Sequence, residues 1–447
     1  LTLSQSCAPT PGQEVKEPFV IPVNLGLVGA DGRDLPLRLE GEATAGVEAG
    51  RFVLSLPSHT LVFLDVEAEP VPSILRGFSA PVVLEFEYSD AQLLHLLAHD
   101  SDPFNRWEAG QRLAMRCALQ ALNGDGTAPA AGALSPAYVD AMRDILRDPK
   151  LDAAFKELVL TLPSEGYIAE QLSVVDPQLV HAVRDGMRLQ LATALTSDWE
   201  WAWETHQDTG VYQPDPASAG RRALSGMALG MLCLASVHGT GTVTPPSAEG
   251  GEHAASTNRD SAAASGSPIW PGKAYQRFKT AGNMTDRFNA LAALVNSGHE
   301  LGAQALARFH AMFKNDALVL DKWFALQAGA PDRGGNVLPL VKQLMKHPDF
   351  SMRNPNRARS VLFSYCSANP GAFHRRDAAG YVFWSERVLD LDATNPQVAA
   401  RLARALDRWS RLAEPYRTAA REALARVAAK PDLSKDVREV VTRALNG

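Results

Sequence analysis

The chain of 447 residues lacks any apolar run approaching the roughly 18 to 20 residues that span a bilayer, which excludes a transmembrane helix. It also lacks a basic N-terminal region followed by an apolar stretch, the form a secretory leader takes. Excess positive charge is missing too: 44 Lys and Arg stand against 50 Asp and Glu, a formal charge of -6, so no global field draws nucleic acid or an anionic membrane. Cysteine is sparse. Cys7, Cys117, Cys233 and Cys366 lie more than a hundred residues apart, a spacing that suits neither a disulfide scaffold nor a paired metal-ligand motif, so a reducing, cytoplasmic home is the expectation. A content of 46% apolar and 21% charged residues is enough for two or three ordinary cores.

The usual catalytic signatures are absent as well. There is no GxSxG elbow, no phosphate-cradling glycine loop and no cysteine with a partner near in sequence. His299-Glu300 has Ala303 where a second zinc-binding histidine would stand. His95 and His99 do share a helical face, but the residue after His95 is Leu96 and not the glutamate that activates water, so packing or a surface role is the reading for this pair. Trp199, Trp201 and Trp203 alternate along a predicted helix and therefore point apart, as packing residues do and a binding cage does not.

What is present falls into two parts. Up to about residue 88 the apolar positions repeat with a period of two: Ile21, Val23, Leu25 and Leu27, then Leu35, Leu37 and Leu39, then Phe52, Leu54 and Leu56, then Leu61, Phe63, Val83 and Phe86. Such alternation predicts half-buried strands and a small β-sandwich, with Pro22 and Pro36 marking edge strands or bulges because proline donates nothing to a ladder. The sequence starts at Leu1 within this alternation, as a piece of a longer polypeptide would.

After Ser89-Asp90 the period becomes helical, with Asp90 as the expected N-cap before Leu93, Leu94, Leu96 and Leu97. Asp176-Pro177 and Asn395-Pro396 predict two capped helices, with stripes Val183, Met187, Leu191, Leu195 and Val398, Leu402, Ala405, Trp409, Leu412. Many short helices with Pro- or Gly-bearing connections predict an irregular α-α superhelix of the ARM/HEAT kind over residues 89–447. Residues Gly239 to Pro268 interrupt it. Since 23 of these 30 residues are Gly, Ala, Ser, Thr or Pro, the stretch cannot offset its ordering entropy and is predicted to be a flexible insertion.

The most specific motifs are Asn354-Pro355-Asn356-Arg357-Ala358-Arg359, Asn369-Pro370-Gly371-Ala372-Phe373-His374 and Asn395-Pro396-Gln397. They are joined by Leu160-Thr161-Leu162-Pro163-Ser164-Glu165, Asn283-Met284-Thr285-Asp286-Arg287 and Asp321-Lys322-Trp323-Phe324. In this order they resemble the C-terminal half of bacterial-type aminopeptidase N, a zinc exopeptidase of the gluzincin clan. The resemblance implies a β-sandwich followed by a superhelical domain that caps a catalytic half carrying HExxH and GxMEN, motifs without a counterpart here. It implies zinc in the parent enzyme and none bound by this chain, peptide substrates and the catalytic half as partners, and no activity in this chain alone. Arg359, Gln397 and Arg401 resemble family positions that line the substrate channel. By spacing alone, Arg401, Arg404 and Arg408 read as a solvated helix face, and beside the resemblance Arg357, Arg404 and Arg408 keep a solvated or structural reading. The other reading of the whole is an independent α-solenoid used as a protein-interaction scaffold.

Overall fold

The computed structural model describes residues 1–40, 50–124, 126, 132–208, 210–239 and 269–446. Apart from Gly239, the insertion expected at 239–268 lies outside the described residues. Two compact units result, one of residues 1–117 with 134–162 and one of residues 118–133 with 163–447.

In the first unit β1 (Thr2–Ser4) pairs antiparallel with β4 (Ser58–Thr60). The strand β2 (Ile21–Val28) lies between β3 (Arg51–Leu54) and β5 (Val71–Ile74) in a second antiparallel sheet. Alternation sends Val23 and Leu25 into a core with Leu54, Leu61, Ile74, Leu75 and Ala80. Pro22 therefore sits on a central strand, contrary to the edge position its missing donor suggested. The reason is a division of partners: β3 pairs with Ile21 to Asn24 and β5 with Leu25 to Val28, so Pro22 has a ladder neighbour on one side only. Pro36 lies outside any strand.

Two expected strands do not form. Leu35, Leu37 and Leu39 are half-buried at alternate positions, but they meet the sheet through isolated bridges, Val28 with Asp34 and Leu39 with Phe63, rather than a ladder. Residues 82–89 likewise carry no ladder, and Val83 is 91% exposed. The buried phase there belongs to Leu84, Phe86 and Tyr88, and the Tyr88 hydroxyl donates to the Pro72 carbonyl at 2.8 Å. The switch to helix at Ser89 is sharp. Ser89, not Asp90, is the N-cap of the helix Asp90–His99: its hydroxyl accepts from Gln92 N while the Gln92 side chain accepts from Ser89 N.

The second unit is a succession of helices that pack mainly on their sequence neighbours, as stacked helical repeats do. Asp176 caps Pro177–Ala194 by accepting from Gln178 N at 2.9 Å and Leu179 N at 3.1 Å, with proline at the first helical position. The stripe Val183, Met187, Leu191 and Leu195 is buried throughout. Trp199 is fully buried beside it and donates its indole N–H to the Leu191 carbonyl at 3.0 Å. The stripe from Val398 to Leu412 is not continuous. The helix Pro396–Ala403 gives way to 3-10 turns at Arg404–Leu406 and Trp409–Arg411. No helix among the described residues is long and apolar enough to cross a membrane.

Removing the Asp176 cap with Asp176→Ala is expected to cost about 1 kcal/mol. Truncating the stripe with Leu191→Ala is expected to cost about 2–5 kcal/mol, because the void cannot close. Urea unfolding of both variants checks the order, and a larger loss for the cap than for the stripe would contradict it.

Candidate functional site

The stretch Asn354 to Arg359 begins the helix Pro355–Cys366. The Asn354 side-chain oxygen accepts from Asn356 N at 3.0 Å and Arg357 N at 3.2 Å, and Pro355 occupies the first position, where no donor is needed. This cap fixes the helical phase, and residues two apart then face different sides. Arg357 turns inward and is buried. Its Nε meets Asp321 Oδ1 at 2.6 Å, its Nη1 donates to the Asp349 carbonyl, and its Nη2 donates to the Ala317 carbonyl at 3.3 Å. The guanidinium also lies over Phe324, 5.0 Å from the ring centre. All three of its nitrogens are thus engaged, which makes its role structural and not solvated.

Arg359 points the other way. Its Nε donates to the Pro355 carbonyl at 3.0 Å and its Nη2 to Asn356 Oδ1 at 2.7 Å, both within its own helix. Among the described residues no carboxylate pairs with it. Phe363 follows one turn later, half-buried, and the Arg401 guanidinium lies 5.9 Å from its ring centre. Arg401 is exposed on the helix Pro396–Ala403, whose N-cap Asn395 accepts from Val398 N at 3.2 Å. Gln397, one turn before Arg401, is exposed as well.

Of the three expected site residues, Arg359 stands on one Asn-Pro-capped helix and Gln397 and Arg401 on another, and the Arg401 guanidinium lies over Phe363 of the first. The other arginines near Arg401 are engaged: Arg404 Nε meets Asp407 at 3.2 Å, and Arg408 Nη1 meets Glu170 at 2.7 Å. What remains is a surface with two guanidinium forks, one amide and one aromatic face. Such groups suit a carboxylate or main-chain carbonyls. Phe363 was not among the expected site residues, although its position four after Arg359 was a usable signal.

A second feature gathers several motif segments. A cavity of about 290 Å³ is lined by Glu165, Pro177, Pro370, His374, Arg408 and Trp409 among others. Glu165 Oε1 lies 2.8 Å from His181 Nδ1, and that hydrogen bond raises the imidazole's pKa against the opposing effect of its burial. His374 is pushed down to about 4 by burial, and its Nδ1 lies 2.8 Å from the Tyr381 hydroxyl. The His374 wall of the cavity therefore stays neutral.

In the first unit the His95 and His99 rings lie 4.9 Å apart, centre to centre. His95 Nε2 lies 2.8 Å from the Gly29 carbonyl, and among the described residues neither His95 nor His99 belongs to a group of three possible ligands. These residues do not fit a catalytic zinc.

Residues 90–446 match the model of a family described as a domain of unknown function (DUF3458_C) with ARM repeats. The chain belongs to the DUF3458_C family. Residues 1–87 match the companion DUF3458 domain, described as Ig-like. The DUF3458_C chain is similar to aminopeptidase N of Escherichia coli, with 32% identity over 100% of this chain and 47% of the relative. It is also similar to aminopeptidase N of Caulobacter vibrioides, with 36% identity over 94% of this chain and 43% of the relative. The chain spans about half the length of these curated relatives and corresponds to their C-terminal portion. Among solved structures it is similar to Legionella pneumophila aminopeptidase A in complex with aspartic acid, with a TM-score of 0.75 and 25% identity, covering 95% of this chain and 45% of that one.

Two measurements follow from this geometry. Arg357→Ala strands the half-buried Asp321 carboxylate and is expected to cost about 3 kcal/mol, whereas Arg359→Ala should stay within about 0.5 kcal/mol. Equal losses in chemical denaturation would contradict the inward and outward assignment. The His181–Glu165 pair should stabilise fully below the ordinary histidine pKa of about 6.5, with the contribution lost as pH rises through the raised pKa of His181. Tm should therefore fall more steeply above pH 6.5 in the unaltered protein than in His181→Asn. Parallel profiles would remove this assignment.

Proposed function

We propose that this chain is the non-catalytic cap and substrate-channel part of a zinc aminopeptidase that removes N-terminal residues from peptides. The catalytic zinc would belong to another half of the same enzyme, which is the partner of this chain, with HExxH and GxMEN supplied from there. The observation that carries the reading is the contrast within Asn-Pro-Asn-Arg-x-Arg: Arg357 is consumed by the fold, while Arg359, Gln397 and Arg401 present polar groups outward on adjoining helices. In this reading the division into an Ig-like part, residues 1–88, and a helical part, residues 89–447, is that of the family.

The role follows from the chemistry of these groups. Arg359 and Arg401 are permanent cations held by short, capped helices, so they favour one orientation of a peptide by donating to its carboxylate or carbonyl oxygens. Gln397 adds a donor and an acceptor without charge, which suits a main-chain amide. Phe363 holds the Arg401 guanidinium against its face and limits the entropy lost on binding. None of these groups moves a proton at neutral pH, so the chain is inactive alone. The four free thiols, three of them buried, fit a cytoplasmic location, and the acidic balance leaves nucleic acid and membranes outside its partners.

In the complete enzyme, Arg401→Ala is expected to raise KM about tenfold for peptides of three or more residues while changing it less than twofold for a single-residue aminoacyl reporter, the loss of one charge-assisted contact. Equal effects on both substrates would reject the channel role. Mixing this chain with a separately produced catalytic half should restore association and peptide turnover, and two halves that neither bind nor act together would count against the cap assignment.

A further inference from the structure

His310, on the helix Leu301–Phe313, comes against two residues of the segment that follows the helix Val337–Leu344. His310 Nε2 is 2.7 Å from Asp349 Oδ2, and His347 Nδ1 is 3.7 Å from the same oxygen. One donor atom from each of the three lies within 4.8 Å of the others. We propose that His310, His347 and Asp349 form a binding site for a divalent transition ion of the zinc type, which clamps the segment leading to the Arg359-bearing helix onto the preceding helical layers.

The donor set selects the ion. Two imidazoles and one carboxylate suit zinc, cobalt or nickel, whereas calcium and magnesium take oxygen ligands. Bonds of about 2.0–2.2 Å in a tetrahedron place donor atoms roughly 3.3–3.6 Å apart. The separations of 2.7 and 3.7 Å lie on either side of that span, so the His310–Asp349 contact opens slightly as the ion takes the place of the shared proton. His347 Nδ1 also accepts the Asp349 backbone N–H at 3.2 Å, a contact the ring gives up by a small rotation.

The surroundings hold the three groups ready. Arg357 fixes the Asp349 carbonyl, Phe350 N donates to the His347 carbonyl at 2.9 Å, and His347 N donates to the Leu344 carbonyl at 3.1 Å. Trp323 packs its ring 5.0 Å from His310 and 5.3 Å from His347, centre to centre, and is itself pinned through its indole N–H to the Leu306 carbonyl at 3.0 Å. Arg357, whose guanidinium reaches the Asp349 carbonyl, is already paired with Asp321. Side-chain exposures of 23%, 28% and 36% leave the cluster reachable from solvent, with room for a water as fourth ligand. Burial and the neighbouring His310 lower the pKa of His347, so its imidazole is neutral, the ligand form, at neutral pH. Among the described residues no glutamate joins this group of three donors, so the ion serves as a clamp and not as a reaction centre.

The test titrates the 447-residue chain with Co2+ and Zn2+ at neutral pH. One equivalent should bind, with visible d–d bands for Co2+, displacement by Zn2+, and a Tm that rises with ion concentration. His347→Gln and the near-isosteric Asp349→Asn should each weaken binding at least tenfold and abolish the Tm rise, with Asp349→Asn serving if His347→Gln fails to fold. His95→Gln should bind as the unaltered chain does. Failure to bind one equivalent, binding unchanged in Asp349→Asn, or binding lost in His95→Gln would overturn the proposal. A Tm rise confined to chains that keep all three side chains would sustain it. The outcome does not depend on peptidase activity.

Discussion

The buried Arg357–Asp321 pair is the constraint on which the helical unit's candidate site rests. A guanidinium removed from water is costly unless it is paired, and here a carboxylate, two backbone carbonyls and the Phe324 face all receive it. Those partners come from the helix Ala317–Ala328 and from the segment before the helix Pro355–Cys366, so one side chain joins three stretches of chain. Its direction also decides that of Arg359. With Arg357 locked inward by the Asn354 cap, a residue two positions later must face away, and the outward cation is a by-product of the inward one.

Local chemistry was legible in the sequence because a cap and its helix are neighbours along the chain. Asp176, Asn354 and Asn395 each accept backbone N–H groups two or three residues on, and the proline after each is pre-set for the first helical turn. The β2 alternation was legible for the same reason. Ladder formation was not, because it depends on a partner elsewhere: Leu35, Leu37 and Leu39 bury alternate side chains with no strand beside them, and Val83 occupies the wrong phase of a segment whose buried side chains are Leu84, Phe86 and Tyr88. Pro22 misled for a related reason. Its strand is central, but its partners share the two ends of β2, which nothing in Ile21 to Val28 announces.

The site divides in the same way. Arg359, Gln397 and Arg401 carried a motif resemblance; Gln397 and Arg401 are exposed and Arg359 is half-buried on the adjoining helix. Phe363 had only its spacing from Arg359, and spacing does not reveal that an arginine from another helix will lie over it. The group His310, His347 and Asp349 spans 39 residues and matches no spaced pattern, so only tertiary packing brings its atoms together.

The short helix Pro396–Ala403 has a further consequence. In an uninterrupted α-helix, residues seven apart share a face, so Arg401 and Arg408 would stand in one row. The tighter winding from Arg404 to Leu406 shifts the angular phase, so that Arg408 meets Glu170 while Arg401 stays over Phe363. The register of those few residues is therefore a selector: it sends one guanidinium to an ion pair while the other stays over the ring, and gaining or losing a single residue there would turn Arg408 away from Glu170 without altering any arginine.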